Sequence, residues 1–240
     1  DPAGQGMSGA STADRRSDRP DRIAVALPKG RLFPPALALF SRLGIADVET
    51  LADSRRLTVD AAAHGLRFLA LKPVDIPVYV EHGAADLGIV GKDLLLEQGR
   101  DVYEPLDLGF GACRLVVAEP AALRVTDDPS AWSALRVATK YPRLTERHFS
   151  RKGIQVEIVH LSGSIELAPA MGLAERIVDL VDSGRTLAEN GLVEVEEILR
   201  TSARLIVNRA SLKTRYGAIQ ALIEALRAQI PERIGGGRCG

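Results

Sequence analysis

The chain has 240 residues, 46% hydrophobic and 26% charged, with 31 Lys and Arg against 31 Asp and Glu. A formal net charge of zero gives no overall field to steer the molecule toward nucleic acid, so any anion site must be built locally from loops and helix starts. No apolar run reaches the roughly 18 residues a bilayer-spanning helix needs, and Cys113 and Cys239 are too few for a disulfide framework, so the chain reads as a soluble cytoplasmic protein with no membrane role.

Residues 1–20 are rich in Gly, Ser, Asp and Arg and read as a disordered tail, without the basic-then-apolar order of a signal peptide. Gly4, Gly6 and Gly9 match the dinucleotide-binding spacing, but no strand precedes them and no helix follows, so the mechanism behind that pattern is missing. From there, short apolar runs predict strands at 23–27, 67–71, 87–90, 115–118, 136–139, 156–159, 177–181 and 204–207. Helical spacing predicts helices over 34–43, 76–81, 92–98, 144–152, 165–171, 186–190 and 212–227. Strands alternating with helices make an α/β protein. Pro231 and the glycines at 235–237 end the fold, leaving 232–240 as a tail.

The chain also echoes itself. Ile23-Ala24-Val25-Ala26, Lys29, Arg31-Leu32 and Phe40-Ser41-Arg42-Leu43-Gly44-Ile45 resemble Arg136-Val137-Ala138-Thr139, Lys140, Arg143-Leu144 and Phe149-Ser150-Arg151-Lys152-Gly153-Ile154. Gly83-Ala84-Ala85-Asp86 and Gly172-Leu173-Ala174-Glu175 each lead into a strand. Two α/β lobes facing a cleft is the simplest architecture for such a duplication, and clefts between lobes are where small-molecule sites form. The chain should cross to the second lobe near 109–113 and return through 195–204. That gives a first lobe of 21–110 and 195–231, a second of 111–194, and two hinge strands between them; a single continuous sheet is the competing reading.

The strongest chemical signal is Asp179-Leu180-Val181-Asp182-Ser183-Gly184-Arg185-Thr186-Leu187, where an apolar strand ends in an acidic, small-residue turn that opens a helix. Backbone amides and the positive end of a helix dipole converge there on an anion. Gly184 permits close approach, Ser183 and Thr186 add hydroxyls, Arg185 adds charge, and Asp179 and Asp182 suit ribose hydroxyls or a magnesium ion. An ordinary capped strand–turn–helix connection shows the same pattern. A second cluster, Lys29-Gly30-Arg31 with Ser54-Arg55-Arg56, puts cations after the first strand, where α/β sheets bind ligands; the plain alternative is a solvated basic surface. His64, His82, His148 and His160 show no zinc-ligand spacing, and Trp132 reads as packing. Cys113, beside Arg114 at the hinge, either faces substrate or is a buried structural thiol.

With these residues in view, the chain resembles the ATP phosphoribosyltransferase family. Glu166 followed by Gly172-Leu173-Ala174, Ile177-Val178-Asp179-Leu180 and Ser183-Gly184-Arg185-Thr186-Leu187 is similar to the family signature. Leu27-Pro28-Lys29-Gly30-Arg31-Leu32, Ala84-Ala85-Asp86-Leu87-Gly88-Ile89-Val90-Gly91-Lys92-Asp93 and Ala138-Thr139-Lys140-Tyr141-Pro142 are also similar to family segments, in family order, and the likeness runs from about Arg22 to Ile230. Glu175 stands where the family pattern has Asp.

The resemblance implies a two-lobed, type II periplasmic-binding-protein-like fold and transfer of phosphoribosyl from phosphoribosyl pyrophosphate to N1 of ATP, with magnesium bound alongside substrate rather than in a protein-only site. It implies that loop 179–186 holds the donor's 5-phosphate and ribose with Glu166 nearby. Lys29, Arg31 and Cys113 would lie on the ATP and pyrophosphate side, and Arg55 and Arg56 would stabilise the leaving group. The chain ends soon after its last helix, which resembles the short form of the enzyme. That form pairs with a histidyl-tRNA-synthetase-like regulatory subunit, as a homodimer within a hetero-oligomer. The competing reading from another class is a ligand-binding module of the same fold, without turnover.

Overall fold

The computed structural model describes residues 22–53, 55–123 and 135–230. The tails at 1–20 and 232–240, Trp132, Cys239 and the chain stop at Pro231 lie outside the described residues.

Two sheets carry the fold. The first has the order β2-β3-β1-β4-β11-β5. Here β1 is Ile23–Pro28, β2 Thr58–Ala61, β3 Leu66–Leu71, β4 Leu87–Gly91, β5 Tyr103–Asp107 and β11 Ala203–Val207. The second has the order β10-β6-β9-β7-β8, built from β6 (Cys113–Pro120), β7 (Leu135–Thr139), β8 (Val156–His160), β9 (Arg176–Val181) and β10 (Leu192–Thr201). In the first sheet β1 lies between parallel β3 and β4, and β4 pairs antiparallel with β11. In the second β7 lies between parallel β8 and β9, and β9 pairs antiparallel with β6. The run β3-β1-β4-β11-β5 therefore matches β8-β7-β9-β6-β10 strand for strand, so the sequence echo is a duplicated topology.

Alternation along the strands loads both faces of each sheet. In β1, Val25 and Leu27 join a core with Phe40, Phe68, Leu205 and Ile223, while Ala26 joins Ile76, Val80 and Ile206 on the other face. Helices α1 (Phe33–Ser41) and α8 (Tyr216–Ala228) cover the first face, and α3 (Ile76–Glu81) and α4 (Lys92–Gln98) cover the second. Phe40 and Phe68 are fully buried and meet edge to face, ring centroids 4.9 Å apart; burying each such side chain contributes about 1.5–3 kcal/mol. The second lobe repeats the plan, with Val116 and Ala118 on one face of β6 and Leu115 and Val117 on the other, the latter facing Leu144 and Phe149 of α5 (Pro142–Arg151).

The chain leaves the first sheet between Asp107 and Cys113 and returns between Thr201 and Ala203. The two crossings run side by side: Ala203 N–H donates to Phe110 O at 2.9 Å, Leu108 N–H to Ala203 O at 2.9 Å, and Ser202 Oγ to Asp107 at 2.8 Å. The expected return boundary at 194/195 falls inside β10, which stays paired with β6 up to Thr201; the sheet changes at Ser202. Two predicted helices differ. Residues 165–171 form only a 3₁₀ turn at Ile165–Leu167, because Pro169 and Gly172 interrupt continuation. Residues 212–227 belong to two helices, α7 (Arg209–Thr214) and α8, which break at Arg215 with φ −126°. Among the described residues no helix is long and apolar enough to cross a membrane.

Candidate active site

A cleft of about 220 Å³ lies between the lobes at the carboxyl ends of β1 and β9. From the first lobe comes Arg31; Cys113 comes from the start of β6, and Glu166 and Asp179 from the second lobe. Asp182, Ser183, Gly184, Arg185 and Thr186 complete the wall, together with Leu180, Val181 and Leu187.

The wall has a local cause. Strand β9 is buried through Val178 and again at Val181, with Asp179 and Leu180 half-buried between, and the chain then turns through Gly184 at φ +77° into the short helix α6 (Arg185–Glu189). That left-handed geometry costs a residue with a Cβ about 1–2 kcal/mol. Ser183 Oγ accepts from Arg185 N–H at 3.5 Å, and Leu187 anchors the helix in the second-lobe core. The first amides of α6 have no partner within the helix, the arrangement that suits an anion. Glu166 sits on its 3₁₀ turn behind Ser164, which at φ 50° is the one non-glycine residue with positive φ among the described residues. Asp179 accepts from the Leu180 amide at 2.8 Å. Burial pushes its carboxyl above the usual carboxylate range, Glu166 adds to that, and the Leu180 amide and the Lys140 charge oppose it.

Arg31 crosses to the hinge, donating from Nη2 to Gly111 O at 3.3 Å and to Cys113 Sγ at 3.2 Å. Gly111 has φ +65°, a backbone conformation that side chains with a Cβ rarely adopt, so the turn favours glycine. Burial pushes the Cys113 thiol up despite the neighbouring Arg31, which keeps it protonated at neutral pH.

Lys29, Arg55 and Arg56 do not join the lining. Lys29 is exposed at the end of β1. Arg55 and Arg56 are exposed on the loop between α2 (Thr50–Asp53) and β2, the strand two places from β1 at the sheet's outer edge.

Beneath the cleft floor lies a buried network that the sequence reading did not identify. Asp93 in α4 accepts from Tyr141 Oη at 2.8 Å and from Thr201 Oγ1 at 2.9 Å, while its own amide donates to Thr201 Oγ1 at 3.0 Å. Burial and then the Asp93 carboxylate hold the Tyr141 phenol far above its ordinary range. Glu97 of the first lobe accepts the Arg143 and Leu144 amides at 2.9 Å each, capping α5 of the second lobe, and Leu94 and Leu96 pack on that lobe's core. No short motif marks such a junction, because its members are brought together by the crossings.

The fold and site define a two-lobed, type II periplasmic-binding-protein-like α/β protein whose cleft carries a glycine-turned helix start beside acidic and guanidinium groups. The family described as ATP phosphoribosyltransferase matches residues 72–228. The chain is 55% identical over 210 residues to ATP phosphoribosyltransferase 2 of Geobacter sulfurreducens, covering 88% of this chain and 99% of that protein. It is 56% identical over 215 residues to the ATP phosphoribosyltransferase of Syntrophotalea carbinolica, covering 90% and 98% respectively. A solved chain from the ATP phosphoribosyl transferase (HisG:HisZ) complex of Thermotoga maritima superposes with a TM-score of 0.75 at 31% identity, covering 87% of this chain and 98% of that one. The chain belongs to the ATP phosphoribosyltransferase family.

Proposed function

We propose that this chain transfers the phosphoribosyl group of phosphoribosyl pyrophosphate to N1 of ATP, releasing pyrophosphate, as the short-form catalytic subunit at the first step of histidine biosynthesis. The observation that carries this reading is that Arg31 of one lobe and the acidic, glycine-turned loop of the other line a single cleft. Relatives that carry the activity's name align along 98–99% of their own length, which supports the short form.

In the reaction the N1 lone pair forms a bond to ribose C1, the bond from C1 to the pyrophosphate oxygen breaks, and pyrophosphate departs with the electron pair. Negative charge grows on the leaving group, so a fixed cation beside it lowers the barrier. Arg31 is the first-lobe guanidinium in the cleft lining and takes the role that the sequence reading gave to Arg55 and Arg56. The amides and hydroxyls at 183–186 hold the 5-phosphate, and Glu166 and Asp179 accept from ribose hydroxyls. No protein base is required; alignment of the two substrates itself supplies several kcal/mol.

Glu166, Asp179 and Asp182 are hard oxygen donors of the kind magnesium takes. Among the described residues no cluster of three or more His, Cys, Asp or Glu is placed to hold a metal ion. Bound there, magnesium would neutralise leaving-group charge. The Thermotoga maritima neighbour was solved as a two-component complex. By that relation this chain takes a histidyl-tRNA-synthetase-like regulatory subunit, as a homodimer within a hetero-oligomer in the cytoplasm. The test is direct: mix the chain with ATP, phosphoribosyl pyrophosphate and magnesium, and follow the phosphoribosyl-ATP adduct and pyrophosphate, which should appear one for one. No product, with or without the regulatory subunit, would sink the activity.

A further inference from the structure

We propose that Lys140 is a second-lobe contact for the donor's pyrophosphate, the pseudo-symmetric counterpart of Lys29. This rests on the donor-loop reading above. Three observations place it. Lys140 directly follows β7 as Lys29 directly follows β1, and the two strands hold the same place in the duplicated topology, each the central strand of a parallel trio. The β7–β9 register pairs Thr139 with Val178, so one step further sets Lys140 beside Asp179, and its charge acts on the Asp179 carboxyl. Its backbone is held between buried neighbours: Thr139 Oγ1 donates to Val178 O at 2.8 Å and accepts from the Tyr141 amide at 2.9 Å, and Tyr141 is tied to Asp93. The Lys140 side chain is exposed, with no hydrogen bond or ion pair to another described residue.

Position along β9 selects which part of the donor it meets. The 5-phosphate belongs to the turn at 183–186, and Asp179 lies several residues back along the strand, at the level of the ribose. An ammonium beside Asp179 is therefore on the side of the sugar away from the 5-phosphate, where the pyrophosphate leaves C1. Lys140 stands next to the lining rather than in it, beside Asp179, where it adds a third cation to Arg31 and Arg185 against the Glu166, Asp179 and Asp182 carboxylates that repel the polyphosphate. Arg31 then approaches the leaving group from the first lobe and Lys140 from the second.

The experiment titrates magnesium pyrophosphate, ribose 5-phosphate and ATP separately into wild type, Lys140→Met and Lys140→Arg by calorimetry. Lys140→Met should weaken pyrophosphate about tenfold or more, the loss expected of one charge-assisted hydrogen bond. It should leave ribose 5-phosphate, ATP and the melting temperature unchanged, and Lys140→Arg should restore most of the pyrophosphate affinity. Pyrophosphate affinity within twofold of wild type in Lys140→Met would overturn the assignment. Equal weakening of ribose 5-phosphate would overturn it too, since the lysine would then act on the whole subsite. These titrations need no turnover, so they are judged apart from the activity.

Discussion

The Tyr141 hydroxyl in the second lobe and the Asp93 carboxylate in the first lie 2.8 Å apart in a buried hydrogen bond that spans the lobe junction. Thr201, the last residue of β10 before the return crossing, donates to the same carboxylate and pairs in register with Cys113, which lines the cleft. Asp93 thus ties the cleft floor to the first lobe. Tyr141→Phe removes one donor from a buried carboxylate and should cost about 1–3 kcal/mol in urea unfolding. An unchanged midpoint would show that the bond contributes nothing net.

Glu97 caps α5 from the opposite lobe by accepting two of its first amides. Glu97→Ala should destabilise by about 0.5–2 kcal/mol, the usual worth of an N-cap. Because this cap lies between lobes, hydrogen exchange at the Arg143 and Leu144 amides should accelerate with it. Unaltered protection there would contradict the cap.

How much of this was legible beforehand follows from where each element lies. All eight strands read from apolar runs are present, and the strands missed, β2, β5 and β10, are all sheet edges. An edge strand is covered less completely, so its sequence need not be a continuous apolar run. Pro105 in β5 is tolerated for the same reason. Strand β10 has register shifts between Glu194 and Glu196 and between Glu197 and Leu199, which break the two-residue period a reader looks for. The strand–turn–helix at 179–187 was legible because one continuous segment builds it. The junction of Asp93, Glu97, Tyr141 and Thr201 was not, since its members are separated by up to 108 positions and meet only through the two crossings. Arg55 and Arg56 lie on the loop before β2, at the sheet's outer edge and outside the cleft lining, a placement that sheet order decides and sequence does not show.

Asp179 carries a pKa raised by burial. For a carboxyl raised in the folded state, the native protein binds more protons than the unfolded chain between the two pKa values, so stability falls as pH rises through that window. Above it the ionised, desolvated carboxylate is a standing cost. Asp179→Asn should therefore melt higher than wild type at neutral pH, lose that advantage in acid, and bind phosphoribosyl pyrophosphate more weakly. A lower melting temperature at pH 7 would reverse the argument.

The cleft geometry ranks the arginines. Arg31→Ala should lower kcat/KM by about 2–4 kcal/mol, the range for removing one transition-state donor, with kcat falling more than donor affinity. Arg55→Ala should change it far less, since Arg55 lies outside the lining. Steady-state kinetics on both variants decide the order; a larger loss at Arg55 would return the leaving-group role to the loop before β2.

The central claim is that the turn from Asp182 to Thr186 receives the donor's phosphate. Ser183→Asp adds one negative charge to that turn at an exposed position without altering the core. Calorimetric titration of magnesium phosphoribosyl pyrophosphate into this variant measures the claim most directly. The account predicts that donor binding is lost while the melting temperature stays at the wild-type value; donor affinity within twofold of wild type would contradict it.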